Sequence, residues 1–217
     1  MTTIGLLGTG NLAVTLGRAW AGAGHAVVLT GRDAGRATAA ARSVGPDARA
    51  VEPHELAAVA DVVVVAVAWD GLEDALTLVG GPAGALAGTT VVDCTNPVDF
   101  ATGRLHLVDG SAAERVAGLA PGAHVVKALH LFAGESWPYR GDPAEAPVVA
   151  GCGDDEGALR AVAGLVADLG GRFVAIGDLD AARQAEEAAG FVMRLVAAGV
   201  NPRRALPDVE PAALAAG

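Results

Sequence analysis

Gly8, Gly10 and Ala13 stand in the spacing G-x-G-x-x-A, within the run Ile4-Gly5-Leu6-Leu7-Gly8-Thr9-Gly10-Asn11-Leu12-Ala13. Gly8 permits a tight turn out of a strand. Gly10 lacks the Cβ that would hold a phosphate away, and Ala13 is small enough for a helix to pack on that strand. The N–H groups around Asn11 and Leu12 then face an anion at the positive end of the helix dipole. Further on, Thr30-Gly31-Arg32-Asp33, with Arg36 one helical turn later, fills the place where a carboxylate would grip a ribose 2′-hydroxyl. An arginine there suits a 2′-phosphate, which it can hold through two charge-assisted bonds, and Thr30 adds a hydroxyl donor. The two segments together predict a dinucleotide site for NADP(H) rather than NAD(H). Asp33 is discordant, since it would repel a phosphate. On the plainer view Arg32 and Asp33 are solvated charges and Asp33 caps the next helix.

The elements that must position these residues are legible around them. Residues 3–8 form a short apolar run, as a buried parallel strand does. Leu12, Leu16, Ala19, Trp20 and Ala23 recur at helical spacing, Gly24 stops the helix, and residues 25–29 give a second strand. Strand and helix then alternate. Strands are expected at 48–51, 61–68, 89–93, 124–129, 147–150 and 172–176, and helices at 37–44, 53–60, 74–79, 111–119 and 154–169. This alternation predicts an α/β fold: a Rossmann-type doubly wound, mostly parallel sheet with a short C-terminal helical appendage. Residues 1–177 are expected to form the NADP-binding domain and residues 178–217 a helical segment, 181–198, with a proline-broken tail. The last residues are expected to lack order. No internal repeat is visible.

Ligands of such a sheet lie at the carboxyl ends of its strands. Trp69 and Asp70 follow the fourth strand, Asn96 and Pro97 the fifth, and His130, Leu131 and Phe132 the sixth. Ala66, Val67 and Ala68 are small or apolar and leave room for a cofactor to cross the sheet. The expected cofactor-binding set is therefore Gly8, Thr9, Gly10, Asn11, Leu12, Thr30, Gly31, Arg32, Arg36, Ala66, Val67, Ala68, Asn96, Ala128 and Phe132, with His130 as candidate catalytic residue.

Composition narrows the chemistry. The net charge of −10 argues against nucleic acid and anionic membrane as partners, and no apolar run has the length of a membrane span. The first strand begins at once, with no charged leader, and a cytoplasmic enzyme is expected. Cys94 and Cys152 lie far apart and are expected as reduced thiols. Lys127 is the sole lysine, and Tyr139, the sole tyrosine, is followed by none. A Tyr-x-x-x-Lys short-chain dehydrogenase is excluded, and so is the helix-borne lysine of 3-hydroxyacid dehydrogenases. No cluster has metal-ligand spacing.

Other residues carry plainer expectations. His25, His54, His106 and His124 fit structural or surface positions, whereas His130 ends a strand beside the expected nicotinamide. Lys127 fits a structural charge paired with a carboxylate, against a direct redox role. Cys94 has no adjacent base. Trp137 and Tyr139 either close over a ring or pack a loop.

The chain resembles the NADPH-dependent oxidoreductases of the deazaflavin coenzyme F420, to which the cytosolic reductase domain of the membrane metalloreductases is related. The resemblance covers nearly the whole chain. It rests on Gly8-Thr9-Gly10-Asn11-Leu12, Gly31-Arg32, Trp69, Ser111-Ala112-Ala113-Glu114, Val125-Val126-Lys127-Ala128-Leu129-His130 and Cys152-Gly153-Asp154-Asp155. It implies hydride exchange between nicotinamide C4 and deazaflavin C5, with the rings stacked in a cleft. It further implies that His130 hydrogen-bonds the deazaflavin or the carboxamide, that Phe132 presents its backbone to the ring, and that Arg183 neutralises the reduced acceptor. Glu186 would pair with Arg183 across one turn, and the protein would be a homodimer. Gly31, Ala68 and Leu131 depart from the family's frequent serine, proline and threonine, and residues 133–147 do not match closely. Two other functions stay open: an NADPH-dependent reductase of a flavin or small imine, and a non-catalytic NADP(H)-binding redox sensor.

Overall fold

The structure is a computed structural model that describes residues 1–132 and 134–206. Its strands are β1 (Thr3–Leu7), β2 (Ala26–Thr30), β3 (Arg49–Ala50), β4 (Val62–Val65), β5 (Thr90–Asp93), β6 (Val98–Asp99), β7 (Arg104–Leu105), β8 (His124–Lys127), β9 (Val148–Gly153) and β10 (Arg172–Ala175). Its helices are α1 (Asn11–Gly22), α2 (Ala34–Val44), α3 (Leu56–Val59), α4 (Leu72–Leu78), α5 (Ala112–Leu119), α6 (Glu156–Asp168) and α7 (Ala182–Ala197).

Eight strands pair in the order β10-β9-β8-β5-β4-β1-β2-β3. β1 sits between β2 and β4, so chain direction across the sheet reverses there and a crevice opens at its carboxyl end. β4 is four valines, all buried, as a strand covered on both faces requires. Alternate residues feed two cores. Leu6, Val64, Val92 and Val126 join Leu16 and Trp20 of α1 and Val162 and Leu165 of α6. Leu7, Val63, Val65 and Val91 join Leu72 and Leu76 of α4 and Val116 of α5 on the other face.

The expected doubly wound α/β sheet is present, with differences that have local causes. β9 runs on to Gly153, beyond the expected residue 150, and pairs antiparallel with β8. Its glycines carry no side-chain pattern to reveal a strand. Residues 53–60 divide into a 3-10 turn, Pro53–Glu55, and the single turn α3. α2 begins at Ala34, earlier than expected, because the Asp33 carboxylate accepts the Arg36 N–H at 2.8 Å. The hairpin β6–β7 was not anticipated; two-residue strands are too short to show a period. The expectation of a disordered end falls on residues 207–217, outside the described residues. Among the described residues no helix is long and apolar enough to cross a membrane.

Candidate functional site

At the carboxyl end of β1 the chain turns at Gly8 with φ +137°, a conformation that L side chains rarely adopt. A Cβ there would lie 2.3 Å from the Ala66 carbonyl oxygen. At Gly10, the N-cap of α1, a Cβ would meet nothing within 4 Å, so the turn leaves open space above the helix end. No side chain caps α1. Its first N–H groups are therefore left, among the described residues, without a side-chain acceptor at an open helix end, which suits a phosphate. Arg32 and Arg36 line the same cavity of about 690 Å³, with Gly8, Thr9, Gly31, Ala66, Val67 and Ala68. Asp33 also lines it, with its carboxylate oriented by the α2 cap, and Arg32 and Arg36 are the cations among its described lining residues.

A second cavity, of about 710 Å³, lies across Val67, Ala68 and Asp70, which line both. Asn11, Leu12, Asn96, His130 and Phe132 line it, as does Cys94. Its far wall is Ala189, Val192 and Met193 of α7, and the β6–β7 hairpin adds Val98, Asp99 and Phe100. Glu135, which accepts the Asn11 side-chain N–H at 2.9 Å, joins this cavity to the glycine turn.

His130 is set by its neighbours. Leu129 before it has φ +60°, a strained conformation for a leucine, worth about 1–3 kcal/mol. The turn brings the His130 carbonyl to the Asn96 amide, which donates to it at 2.7 Å. The His130 Nε2 lies 3.1 Å from the Ala185 carbonyl oxygen. A carbonyl only accepts, so Nε2 carries the proton and Nδ1 is a bare acceptor. Burial, with help from the Lys127 charge, pushes the His130 pKa down to about 3. The ring is neutral at physiological pH. Among the described residues its Nδ1 and the Asn96 Oδ1 are buried acceptors without partners.

Behind this cavity Lys127 Nζ lies 2.9 Å from Asp93 Oδ2 and 2.8 Å from Glu186 Oε1, all three side chains fully buried. Burial alone would lower the lysine pKa, but the two carboxylates outweigh it and raise it. Burial raises the Glu186 pKa against the pull of Lys127. Burial also drives the Cys94 pKa well above its usual value, so the thiol does not ionise near neutrality.

The structure thus gathers Gly8, Thr9, Gly10, Gly31, Arg32, Arg36, Ala66, Val67 and Ala68 around one cavity, and Asn11, Leu12, Asn96, His130 and Phe132 around the other. Thr30 and Ala128 are not among them. Among the described residues the Thr30 hydroxyl is buried without a partner, and Thr30 lines, with Gly31, a separate cavity of about 240 Å³. Ala128 is packed in the core. The expected pair of Arg183 and Glu186 does not form. Arg183 bonds Glu187 at 3.1 Å and the Gly110 carbonyl at 2.8 Å, because the i,i+4 partner lies on its exposed face while Glu186 points inward. Trp137 is buried edge-on to Phe132, centroids 5.3 Å apart, and Tyr139 donates to the Asp142 carbonyl, so both pack the loop. His106, expected at the surface, is exposed but lines the mouth of the second cavity. Sequence reasoning missed the α7 wall and the inward turn of Glu186, which with Asp93 supplies the carboxylate partner expected for Lys127. The available signal was Lys127 itself, a charge in a strand buried on both faces, which must be paired. Among the described residues no group of three or more His, Cys, Asp or Glu is placed to hold a metal.

A glycine turn, an uncapped helix end and an arginine pair at the switch point of a doubly wound sheet define a nicotinamide-dinucleotide-binding protein of the Rossmann class. The family model described as NADP oxidoreductase, coenzyme F420-dependent, matches residues 3–97. A protein of Arthrobacter sp. FB24, described as a candidate F420-dependent NADP reductase, is 31% identical, with a TM-score of 0.78 over 92% of this chain and 96% of that one. The hypothetical protein SMa0349 of Sinorhizobium meliloti is 29% identical, with a TM-score of 0.72 over 84% and 88%. A reductive aminase of Aspergillus terreus, solved with NADPH and ethyl-5-oxohexanoate, shares the fold at 21% identity and TM-score 0.68, over 92% of this chain and 63% of that one. No curated protein matches the chain. The chain belongs to the F420-dependent NADP oxidoreductase family and is an NADP-dependent oxidoreductase.

Proposed function

We propose that the chain transfers a hydride between NADP(H) and coenzyme F420, with the acceptor ring in the cavity bounded by His130 and α7. The observation that carries this reading is the continuity of two cavities through Val67, Ala68 and Asp70, with arginines at one end and a neutral histidine at the other. The residues fit the dinucleotide. Gly10 leaves space for the pyrophosphate, the α1 amides face it, and Arg32 and Arg36 receive the 2′-phosphate. When bound, the nicotinamide supplies or accepts the hydride at C4. The protein's part is orientation and exclusion of water. His130 Nδ1 and Asn96 Oδ1 accept N–H donors from the rings and so fix their rotation, while Phe132 and Met193 give apolar contact. His130 moves no proton near neutrality, because its pKa lies near 3.

A second acceptor class, a small imine, is favoured by one observation. Asp70, Asp99 and Glu135 line the second cavity, and none of its described lining residues is lysine or arginine. Such a wall attracts a protonated imine and repels an anionic acceptor. A homodimer belongs to the same proposal, and Phe191 and Val196 of α7 are exposed apolar side chains that a second copy would cover. An acceptor screen tests the function: NADPH oxidation followed against F420, FMN, FAD and cyclic imines. Turnover with F420 supports the first reading, turnover with imines alone the second, and turnover with none contradicts both.

A further inference from the structure

Asp93, Lys127 and Glu186 are charged, fully buried and line neither of the two cavities. A buried ion pair is a poor source of stability, because apolar groups of the same volume often serve as well or better. What it supplies is a defined geometry between the elements that carry it. Here those elements are four. Glu186 of α7 accepts the Ala112 N–H at 3.0 Å and the Ala113 N–H at 3.4 Å, capping α5, while it binds Lys127 of β8 at 2.8 Å. Lys127 binds Asp93 of β5 at 2.9 Å and also donates to the Thr95 carbonyl. The second Asp93 oxygen accepts the Thr95 N–H at 2.9 Å and its hydroxyl at 2.7 Å.

The two ends of this chain of bonds are opposite parts of one cavity. Thr95 and Asn96 line it on the sheet side, and Ala189, Val192 and Met193 line it on the α7 side. Ala189 and Met193 lie three and seven residues after Glu186, on the same helix face. The neighbouring residue Ala185 receives the His130 ring N–H. Wherever Glu186 is held, the α7 wall and the partner of His130 follow.

We propose that Lys127 and Glu186 are positioning residues: their buried bond sets the gap between α7 and the sheet ends into which the hydride acceptor enters, without contact to either ligand. The proposal rests on the acceptor-site reading of that cavity. It assigns the pair a role in the acceptor half of the site and none in the dinucleotide half, which is lined by the ends of β1 and β2, the start of α2 and the segment after β4.

The test is Glu186→Gln in the full chain, a change that keeps side-chain volume and an acceptor for the α5 amides but removes the charge. Lys127→Met is a second, harsher variant. Hydrogen exchange is followed by peptide over residues 3–30, 94–98 and 182–197, and NADPH, F420 and FMN affinities are measured by tryptophan fluorescence without turnover. The expected result is exchange about tenfold faster in 94–98 and 182–197 only, NADPH affinity within about twofold of wild type, and probe affinity about tenfold weaker. Unchanged exchange in α7, or acceleration spread equally over residues 3–30, overturns the proposal. A wild type that binds neither probe overturns the F420 reading of that cavity, and the exchange pattern still judges the bond. If Lys127→Met does not fold, Glu186→Gln decides alone.

Discussion

Replacement of Arg32 by alanine isolates the feature that separates NADPH from NADH. Arg32 and Arg36 line the first cavity, and the Asp33 carboxylate beside them is oriented by the α2 cap. A charge-assisted bond to a phosphate is worth about 1.5–3 kcal/mol. Both arginines are exposed, so solvent and salt screen them and the lower end applies. About 1.4 kcal/mol is a factor of ten in affinity. Arg32→Ala should therefore weaken NADPH by about tenfold and NADH by less than about twofold, and the double variant with Arg36→Ala should lose about a hundredfold if the two act independently. Titration of tryptophan fluorescence with each nucleotide gives the constants. Because the Debye length falls from about 10 Å at 0.1 M salt to about 3 Å at 1 M, the preference for NADPH should shrink at high salt. Equal losses for both nucleotides, or a preference indifferent to salt, would refute the phosphate-clamp reasoning.

Four further outcomes follow from the geometry. Gly8→Ala should unfold or strongly destabilise the protein, because its Cβ falls 2.3 Å from the Ala66 oxygen at φ +137°. Gly10→Ala, with nothing near its Cβ, should melt within about 2 °C of wild type yet bind NADPH at least about tenfold more weakly. Comparison of melting curves and titrations decides both, and a well-folded Gly8→Ala protein contradicts the turn geometry. His130 has a folded pKa near 3, below the 6.5 of a free histidine, so below about pH 6.5 the unfolded chain binds the extra proton. Stability should fall as pH drops from 6.5 towards 3, by up to about 1.4 kcal/mol per pH unit from this group. Melts between pH 6.5 and 5 should show a shallower decline for His130→Gln, and parallel declines would refute a buried neutral ring. Asp70→Asn should lower KM for an anionic acceptor and raise it for a protonated imine. KM values that do not move would remove the cavity's charge as a selector.

The dinucleotide half of the site was legible because its logic is local. Gly8, Gly10, Asn11 and Leu12 belong to one turn, and Arg32 follows the next strand, so spacing alone brought them together. The sheet was legible for the same reason, from apolar runs such as residues 62–65. β9 was truncated in prospect, because Gly151 and Gly153 give no hydrophobic period. The acceptor half was only partly legible. His130 and Asn96 end strands and could be placed, whereas Ala189, Val192 and Met193 come from a helix whose docking sequence spacing does not fix. Glu186 shows the limit most clearly. Three residues after Arg183 in sequence it suggested a surface pair, and only the tertiary fold turns it inward onto Lys127.

The central claim is that two redox rings meet face to face within one crevice and exchange a hydride directly. NADPH deuterated at both nicotinamide C4 positions, incubated with the protein and an acceptor that takes the hydride on carbon (F420 or a cyclic imine), tests it by mass spectrometry of the product. Deuterium on the acceptor's carbon, retained after exchange into ordinary water, is the result expected. Label that appears only in solvent, or remains on a nucleotide that binds tightly but never turns over, would contradict it.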